Sequence, residues 1–485
     1  MFGAVIFAIA LAATPLVDAV RQGDAAAVRA LLKSGSNVNQ PGGDGATALH
    51  WAAHDDQTEL VRLLLDAGAS PQTANDLGVT ALQLAAANGN APMLRLLLDK
   101  RADANAAAAS GVTPLMEAAR SGSVEVVRLL LAYGAQVNAR ESARGQTALM
   151  WAVSRQHPEI VKVLLENHAD VTARTESRPM MVMLGQGPRG VKTAAKDAHE
   201  IQVGGTTALL FAAENGSTES ARLLLAAGAH VSDAAADGRS ALVTAAFAGS
   251  RDVAKLLLNA GADPNAAGAG YTALHAAALR GDSDLVKALL DKGANPNALQ
   301  TSGSPVRRFG SQWALSSVFN GATPLHLAAA YLETDAMSAL LAGGAKVDAT
   351  LPNGVTALQI ASGASIEKEA RPSDLKKFNV IDSDVPVIPR PSEDVLTAVR
   401  ALLDAGAAVT HTSDNGDTAL HAAAATNQPA VIALLAQRGA DVNAKNKAAQ
   451  TPLSLTLPRA SLGRGPGFAG YPDCEALLRK LGATP

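Results

Sequence analysis

Short apolar stripes that recur along the chain predict pairs of short helices. In residues 44–68, apolar side chains return three and four positions apart, which is the spacing of one buried face of an amphipathic helix. Residues 127–131 show the typical second stripe, Val-x-x-Leu-Leu. Between the stripes stand Gly, Asn and Asp, which favour turns. The pattern therefore predicts helix pairs joined by tight turns over most of the chain.

A Gly-x-Thr/Ser-Ala/Pro-Leu signature repeats at nearly constant distance. Its Thr or Ser stands at Thr47, Thr80, Thr113, Thr147, Thr207, Ser240, Thr272, Thr323, Thr356, Thr418 and Thr451. Most intervals are 32 to 34 residues, and three are longer by 27, 18 and 29. Together with a less regular first unit, the signature predicts about twelve repeats. The longer intervals predict insertions at residues 175–203, 299–319 and 363–390.

Each conserved-looking position within the repeat has a local physical reason. The Thr side chain can accept a hydrogen bond from a backbone N–H at the start of the first helix. A glycine ends the second helix where a left-handed conformation is wanted, as at Gly134. Arg101 and His168 replace that glycine in two repeats. A side chain there is expected to cost about 1 kcal/mol of stability.

The repeat resembles that of ankyrin-repeat proteins of bacterial type. The motif Thr-Ala/Pro-Leu-His is complete at Thr47, Thr272, Thr323 and Thr418. The resemblance implies an all-α solenoid of stacked helix-turn-helix repeats with β-hairpin fingers, elongated and curved, with capping repeats at both ends. We place the N-terminal capping repeat at residues 14–40, the array at 41–448 and the C-terminal capping repeat at 449–485. A fold of this kind hosts many functions, so it does not identify one.

The first residues have the pattern of a signal peptide. Residues 2–11 read FGAVIFAIAL, and Ala10-Leu11-Ala12 fits the small-residue rule for cleavage. The segment has no Lys or Arg, and a buried N-terminal helix is the alternative interpretation. We predict a signal peptide at residues 1–13 and hence a periplasmic or secreted protein, with a cytoplasmic protein as the alternative.

Composition narrows the range of partners and compartments. The 41 Lys and Arg against 44 Asp and Glu leave a net charge of −3, which gives no general attraction for nucleic acid. No apolar run reaches the ~18–20 residues of a membrane-spanning helix. Cys474 is the single cysteine, so the chain has no internal disulfide and no cysteine-rich metal site. Aromatic residues make up only 3%, so clusters of them are informative.

We predict the main partner-binding surface in repeats six to eight, in the concave groove that the resemblance implies. The residue types that anchor interfaces are aromatics and Arg. The predicted contact residues are Phe247, Tyr271, Arg280, Arg307, Arg308, Phe309, Trp313 and Tyr331. The alternative is that the rings of the second insertion, with Phe319, only pack the loop onto the helices. Trp51 and Trp151 are expected to pack between helices.

The other two insertions carry weaker signals. The first is expected to extend a finger and holds Met180, Met181 and Met183, which suit either an apolar partner or loop packing. Its residues 185–190 read GQGPRG, but no strand-helix context supports nucleotide binding. The third is expected to be an extended surface loop between the two helices of its repeat.

No catalytic or cofactor motif stands out. His50 and His54 are spaced four apart, but His50 belongs to the repeat motif, whose histidine is expected to bond between repeats. We therefore predict no metal, no cofactor and no catalysis, and a scaffold that binds a protein or peptide. Two alternatives remain open. One is an enzyme whose inserted loops build a site near Arg307 and His199, and the other is an exported effector that acts on a protein of another cell.

Overall fold

The helices begin where the repeat motif predicts, because the motif Thr or Ser caps them. In this computed structural model, which describes residues 15–183, 198–303, 319–364, 392–458 and 470–484, Thr80 accepts from the backbone N–H of Gln83 and Thr272 from that of His275. The cap satisfies an N–H that has no partner inside the helix. Proline follows the cap in some repeats, as at Pro114 and Pro324, where no N–H is needed.

The described chain forms two compact units. Unit 1 comprises Met1–Ser177 and Gly204–Asp233, and unit 2 comprises Arg178–Val203 and Ala234–Pro485. Each consists of helix pairs stacked in chain order: the first helix of a pair packs on the first helix of the next, and the second helix on the second. Twelve such pairs lie in the described residues. The fold is an all-α solenoid, as predicted.

Unit 1 contains six pairs. They are α1 (Pro15–Arg21) with α2 (Ala25–Lys33), α3 (Ala48–His54) with α4 (Thr58–Asp66), α5 (Ala81–Asn88) with α6 (Ala91–Asp99), α7 (Pro114–Ser121) with α8 (Val124–Ala132), α9 (Ala148–Ser154) with α10 (Pro158–Glu166), and α11 (Ala208–Asn215) with α12 (Thr218–Ala226). Alanines and leucines form its thin core; Ala52, Leu64 and Leu130, for example, are completely buried.

Unit 2 contains the other six pairs and one hairpin. The pairs are α13 (Ala241–Ala248) with α14 (Arg251–Asn259), α15 (Ala273–Leu279) with α16 (Ser283–Asp291), α17 (Pro324–Tyr331) with α18 (Thr334–Ala342), α19 (Ala357–Ala361) with α20 (Ser392–Asp404), α21 (Ala419–Ala425) with α22 (Pro429–Gln437), and α23 (Pro452–Thr456) with α24 (Pro472–Lys480). Strands β1 (Arg178–Met183) and β2 (Ala198–Val203) pair antiparallel.

The fingers between pairs are shorter than the predicted β-hairpins. Most are turns, and isolated bridges such as Ala74 with Thr80 stand in place of strands. Neighbouring fingers are nevertheless joined through the backbone. Ala109 N–H donates to the Leu77 carbonyl at 2.9 Å, and Ser142 N–H to the Ser110 carbonyl at 2.8 Å. These bonds link successive repeats, because each finger satisfies backbone groups of the next.

Two insertions leave visible traces in the fold. The hairpin β1–β2 lies within the first, as an extended finger. The third separates α19 from α20, which still pack together as one pair. Residues 1–14, which include the predicted signal peptide, and most of the second and third insertions lie outside the described residues. No helix in the described ranges combines the length and apolarity that crossing a membrane requires.

Two positions confirm the expected strain at the end of the second helix. Arg101 and His168 have φ of 69° and 63°, in the left-handed region, where the equivalent Gly134 has 85°. The backbone carbonyls of both residues accept a hydrogen bond from the preceding repeat, from Gln72 and Asn138. The turn that ends each second helix imposes this conformation, and the bonds from the preceding repeat hold it in place.

Replacing Arg101 or His168 by Gly is expected to stabilise the chain. Each change should raise the free energy of unfolding by about 1 kcal/mol, because glycine adopts positive φ without the Cβ penalty. Urea unfolding followed by circular dichroism measures it. Gly134→Ala is the matched reverse change, since a Cβ there would meet no atom within 4 Å. If Gly134→Ala costs nothing, the backbone strain is not the cause.

Candidate partner-binding surfaces

One position of the first helix is partly open to solvent throughout unit 1. It lies four residues after the motif Thr and is occupied, in order, by Trp51, Leu84, Glu117, Trp151 and Phe211. All five are half-buried, although the alanines beside them are completely buried. The first helices pack directly on one another, α3 on α5 and so on to α11. We call these five residues the first-helix row.

The aromatic members of the row have specific neighbours. The Arg21 guanidinium lies 4.6 Å from the centroid of the Trp51 ring, a cation–π contact, and His54 meets that ring edge-on at 5.8 Å. These contacts leave Trp51 half-exposed, so the expectation that it packs between helices holds for only part of its surface.

Trp151 and Phe211 stand on adjacent first helices, α9 and α11. Asn215 Nδ2 donates to the Val153 carbonyl at 2.7 Å, and Gln156 Nε2 to the Asn215 carbonyl at 2.8 Å, so two side-chain bonds fix these helices together. The indole Nε1 of Trp151 is shielded from solvent and has no hydrogen-bond partner. Large, half-exposed rings held on rigid helices are typical of interface anchors.

Five of the six equivalent positions of unit 2 are buried. They are Thr244, Ala276, Leu327, Ile360 and Ala422. Only Leu455, in the last pair, is half-buried. The described part of unit 2 therefore has no continuous counterpart of the first-helix row, although the sequence predicted the main contact surface there.

The predicted contact residues of repeats six to eight form two small aromatic clusters. Phe247 is half-buried, and its ring centroid lies 6.2 Å from that of Tyr271. Tyr271 is only 1% exposed, and burial raises the pKa of its hydroxyl to about 12. Tyr331 is also buried and lies 6.5 Å from Phe319, which is buried as well. The two tyrosine rings therefore pack inside the unit, because each covers the aromatic side chain of a neighbouring segment.

Arg280 is engaged in a similar way. Its Nη1 donates to the Phe247 carbonyl at 3.1 Å, at the end of α13, where a cation interacts favourably with the helix dipole. A Cβ on Gly249 would collide with the Arg280 guanidinium, so glycine at that turn makes room for it. Burial lowers the pKa of Arg280. Of the remaining predicted residues, Arg307, Arg308, Phe309 and Trp313 lie outside the described residues.

The motif histidines bond between repeats, as expected. His50 Nδ1 receives the backbone N–H of Thr47 at 3.1 Å, and its Nε2 lies 3.0 Å from the Val79 carbonyl of the next repeat. A carbonyl only accepts, so Nε2 carries the proton and the ring is neutral. Burial lowers the pKa of His50, and it lowers those of His275 and His326 to about 4.

Both nitrogens of such a ring are occupied, which leaves none for a metal. In the described ranges, no three His, Cys, Asp or Glu side chains are grouped as metal ligands. Cys474 is completely buried, its thiol donates to Asn427, and burial raises its pKa to about 11. An unreactive core cysteine fits these values.

A recurrent asparagine bond was missed in the sequence. Asn105 Nδ2 donates to the Gly134 carbonyl at 3.0 Å, and its Oδ1 accepts from Gln136 N–H at 2.7 Å. The same pair of bonds recurs at Asn39, Asn138, Asn265, Asn297 and Asn443. The sequence signal was an Asn four residues after the residue that ends the second helix, a spacing that recurs in all six of these repeats.

Comparison with known families agrees with the repeat structure. A family model described as "Ankyrin repeats (3 copies)" matches residues 16–108, 101–175, 180–268 and 209–300. A second, "Ankyrin repeat", matches residues 320–350 and 415–447. Together the matches cover well over half of the 485 residues.

Proposed function

Because the chain belongs to the ankyrin-repeat family, whose repeats generally serve as protein-interaction scaffolds, we propose that it is a non-catalytic scaffold that binds a protein or peptide. We propose the first-helix row of unit 1 as the binding surface. Four of its five members are Trp, Leu or Phe, and all are partly exposed. A partner that covered the remaining apolar surface would gain about 25 cal/mol for each Å² removed from water.

The partner fits as an extended segment with large apolar side chains. Packed helices lie about 8–10 Å apart, so Trp151 and Phe211 offer two apolar contacts at roughly that distance. A segment in the polyproline II conformation advances about 3.1 Å per residue with three residues per turn, so apolar side chains three residues apart lie on one face and would meet both rings. Arg155, exposed at the end of α9, would favour an acidic residue on one flank.

Replacing Trp151 and Phe211 together by Ala is expected to lose most of the captured partner. Affinity capture from the envelope fraction, quantified by mass spectrometry, measures it; each ring should contribute about 2 kcal/mol or more if it is a hot spot. Tyr133→Ala is the matched control, because Tyr133 is a 43% exposed ring at the end of α8. Equal recovery with the double variant and with Tyr133→Ala contradicts the surface.

The prediction for repeats six to eight is tested in the same experiment. Arg308→Ala with Trp313→Ala should reduce capture if the second insertion contacts the partner. Phe247→Ala tests the one half-exposed ring of the described part. Unchanged capture with all three restricts binding to unit 1.

Export remains part of the proposal. A signal peptide at residues 1–13 would place the scaffold in the periplasm or outside the cell, either as a resident protein or as an effector. N-terminal sequencing of the protein from the envelope fraction tests this. A mature N-terminus near residue 13 is expected, and an intact Met1 contradicts export.

A further inference from the structure

In the described part of the chain, neither outer edge of the hairpin β1–β2 pairs with a further strand. Its strands pair with each other over six residue pairs, from Arg178 with Val203 to Met183 with Ala198. In the described residues the sheet has only these two strands, and none of the isolated bridges involves them. A two-stranded hairpin is marginally stable in water by itself. Its outer edges carry backbone N–H and C=O groups that can pair with a further strand.

The two edges differ in what they can accept. Strand β1 contains Pro179, which lacks an N–H and is tolerated in sheets where its nitrogen faces away from the ladder. Strand β2 reads AHEIQV and has no proline, no glycine and no lysine, and Glu200 is its one charged side chain of the kind that protects an edge. Every residue of β2 therefore has a backbone N–H, and those that point outward can donate to an added strand.

The side chains of the hairpin indicate which residue types a further strand would need on each face. Alternation places Met180, Ile201 and Val203 on one face, with the exposed Arg178 at its end opposite Val203. Met180 is 37% exposed, and Ile201 and Val203 are half-buried, so this apolar face is incompletely covered. Glu200 and Gln202 are exposed on the opposite face, and Glu200 is the one carboxylate of β2.

We propose that β2 binds an extended segment of a protein partner, which adds a third strand to the hairpin. The segment has alternating apolar residues that continue the face of Met180 and Ile201, and a basic residue beside Glu200. Cross-strand apolar pairs and opposite-charge pairs stabilise a sheet, and like charges directly opposite each other destabilise it. The site rests on the proposed scaffold function, but it shares no residue with the first-helix row.

The test uses the full chain and labelled peptides in fluorescence anisotropy. The probe is a short peptide in which valine alternates with threonine around one central lysine, and its counterpart has glutamate at that place. The wild-type chain should bind the lysine peptide about two- to fivefold more tightly than the glutamate peptide. Glu200→Lys should reverse the preference. Glu159→Lys, an equal charge change on exposed α10, should leave it unchanged.

Absence of binding by either peptide, or an unchanged preference in Glu200→Lys, overturns the proposal. Far-UV circular dichroism of each variant checks that the helical stack is intact. Trp151→Ala with Phe211→Ala serves as a parallel arm. If this double variant still binds the peptide, binding at β2 does not depend on the first-helix row. The result of the protein-capture experiment then tests the first-helix row alone.

Discussion

Replacing His275 and His326 together by Gln is expected to make unit 2 less sensitive to acid. The variant should no longer lose the stability that the wild type loses when these two rings become protonated. In the folded chain their pKa is about 4, because burial disfavours the charged ring. In the unfolded chain a histidine has a pKa of about 6.5. Between these values the unfolded state binds more protons, so the stabilisation is complete above pH ~6.5 and is lost as the pH falls towards 4.

The size of the effect follows from the difference between the two pKa values. Each histidine should account for about 3 kcal/mol between neutral pH and pH 4. Protonation has a clear structural consequence. Nδ1 of His275 accepts from Thr272 N–H at 3.2 Å and Nε2 faces the Ala322 carbonyl at 3.2 Å, so a second ring proton would point at a donor.

The chain contains its own evidence that Gln can replace these histidines. Gln359 Oε1 accepts from Thr356 N–H at 2.8 Å, and its Nε2 donates to the Asp417 carbonyl at 2.5 Å. Gln83 makes the equivalent two bonds at 3.0 and 2.6 Å. The amide therefore reproduces the histidine bonds without a titratable group.

Urea unfolding at neutral and at acidic pH distinguishes the outcomes. The double variant should unfold with nearly wild-type stability at pH 7 and lose less than the wild type at pH ~4.5. Acid destabilisation from carboxylates is common to both proteins and cancels in the comparison. The idea fails if wild type and variant lose the same free energy.

Leu130→Ala is expected to destabilise unit 1 by about 3 kcal/mol. Leu130 lies on α8, is completely buried, and α8 packs between α6 and α10. Each repeat is stabilised mainly by its neighbours, so a cavity at this interface weakens the repeats on both sides. Hydrogen exchange should therefore show faster opening of α6 and α10 as well as of α8.

Leu131→Ala is the matched control, because the adjacent leucine is half-buried. It removes the same number of atoms but leaves a smaller cavity, and we expect a cost of about 1 kcal/mol. Urea unfolding measures both variants. Equal costs would mean that burial between the repeats does not determine stability here.

The sequence predicted the elements well because their causes are local. The Thr that caps a first helix, the glycine that ends a second helix and the strain at Arg101 and His168 depend on residues within one repeat. The motif histidines were also interpreted correctly, since the repeat presents the same residue at the same place to each neighbour.

The candidate surfaces were harder to predict because exposure is not a local property. Phe247 and Tyr331 are aromatic residues seven and eight positions after the motif Ser or Thr of their repeats, yet Phe247 is half-buried and Tyr331 is buried. Trp151 was expected to pack between helices, and it does so for only part of its surface. The asparagine bonds join residues about 30 positions apart, so their partners are visible only once the repeats stack.

The sequence by itself determined that this chain is a stack of helix pairs, because a periodic pattern of caps, apolar stripes and turn residues specifies each pair through neighbours in the chain. Only the tertiary structure decided which side chains the stack leaves open. Whether Trp151 or Tyr271 faces solvent depends on how much of each ring adjacent segments cover, and that contact is made between residues far apart in the sequence. The open edge of β2 was likewise decided by the fold, because a strand is an edge only if nothing else pairs with it.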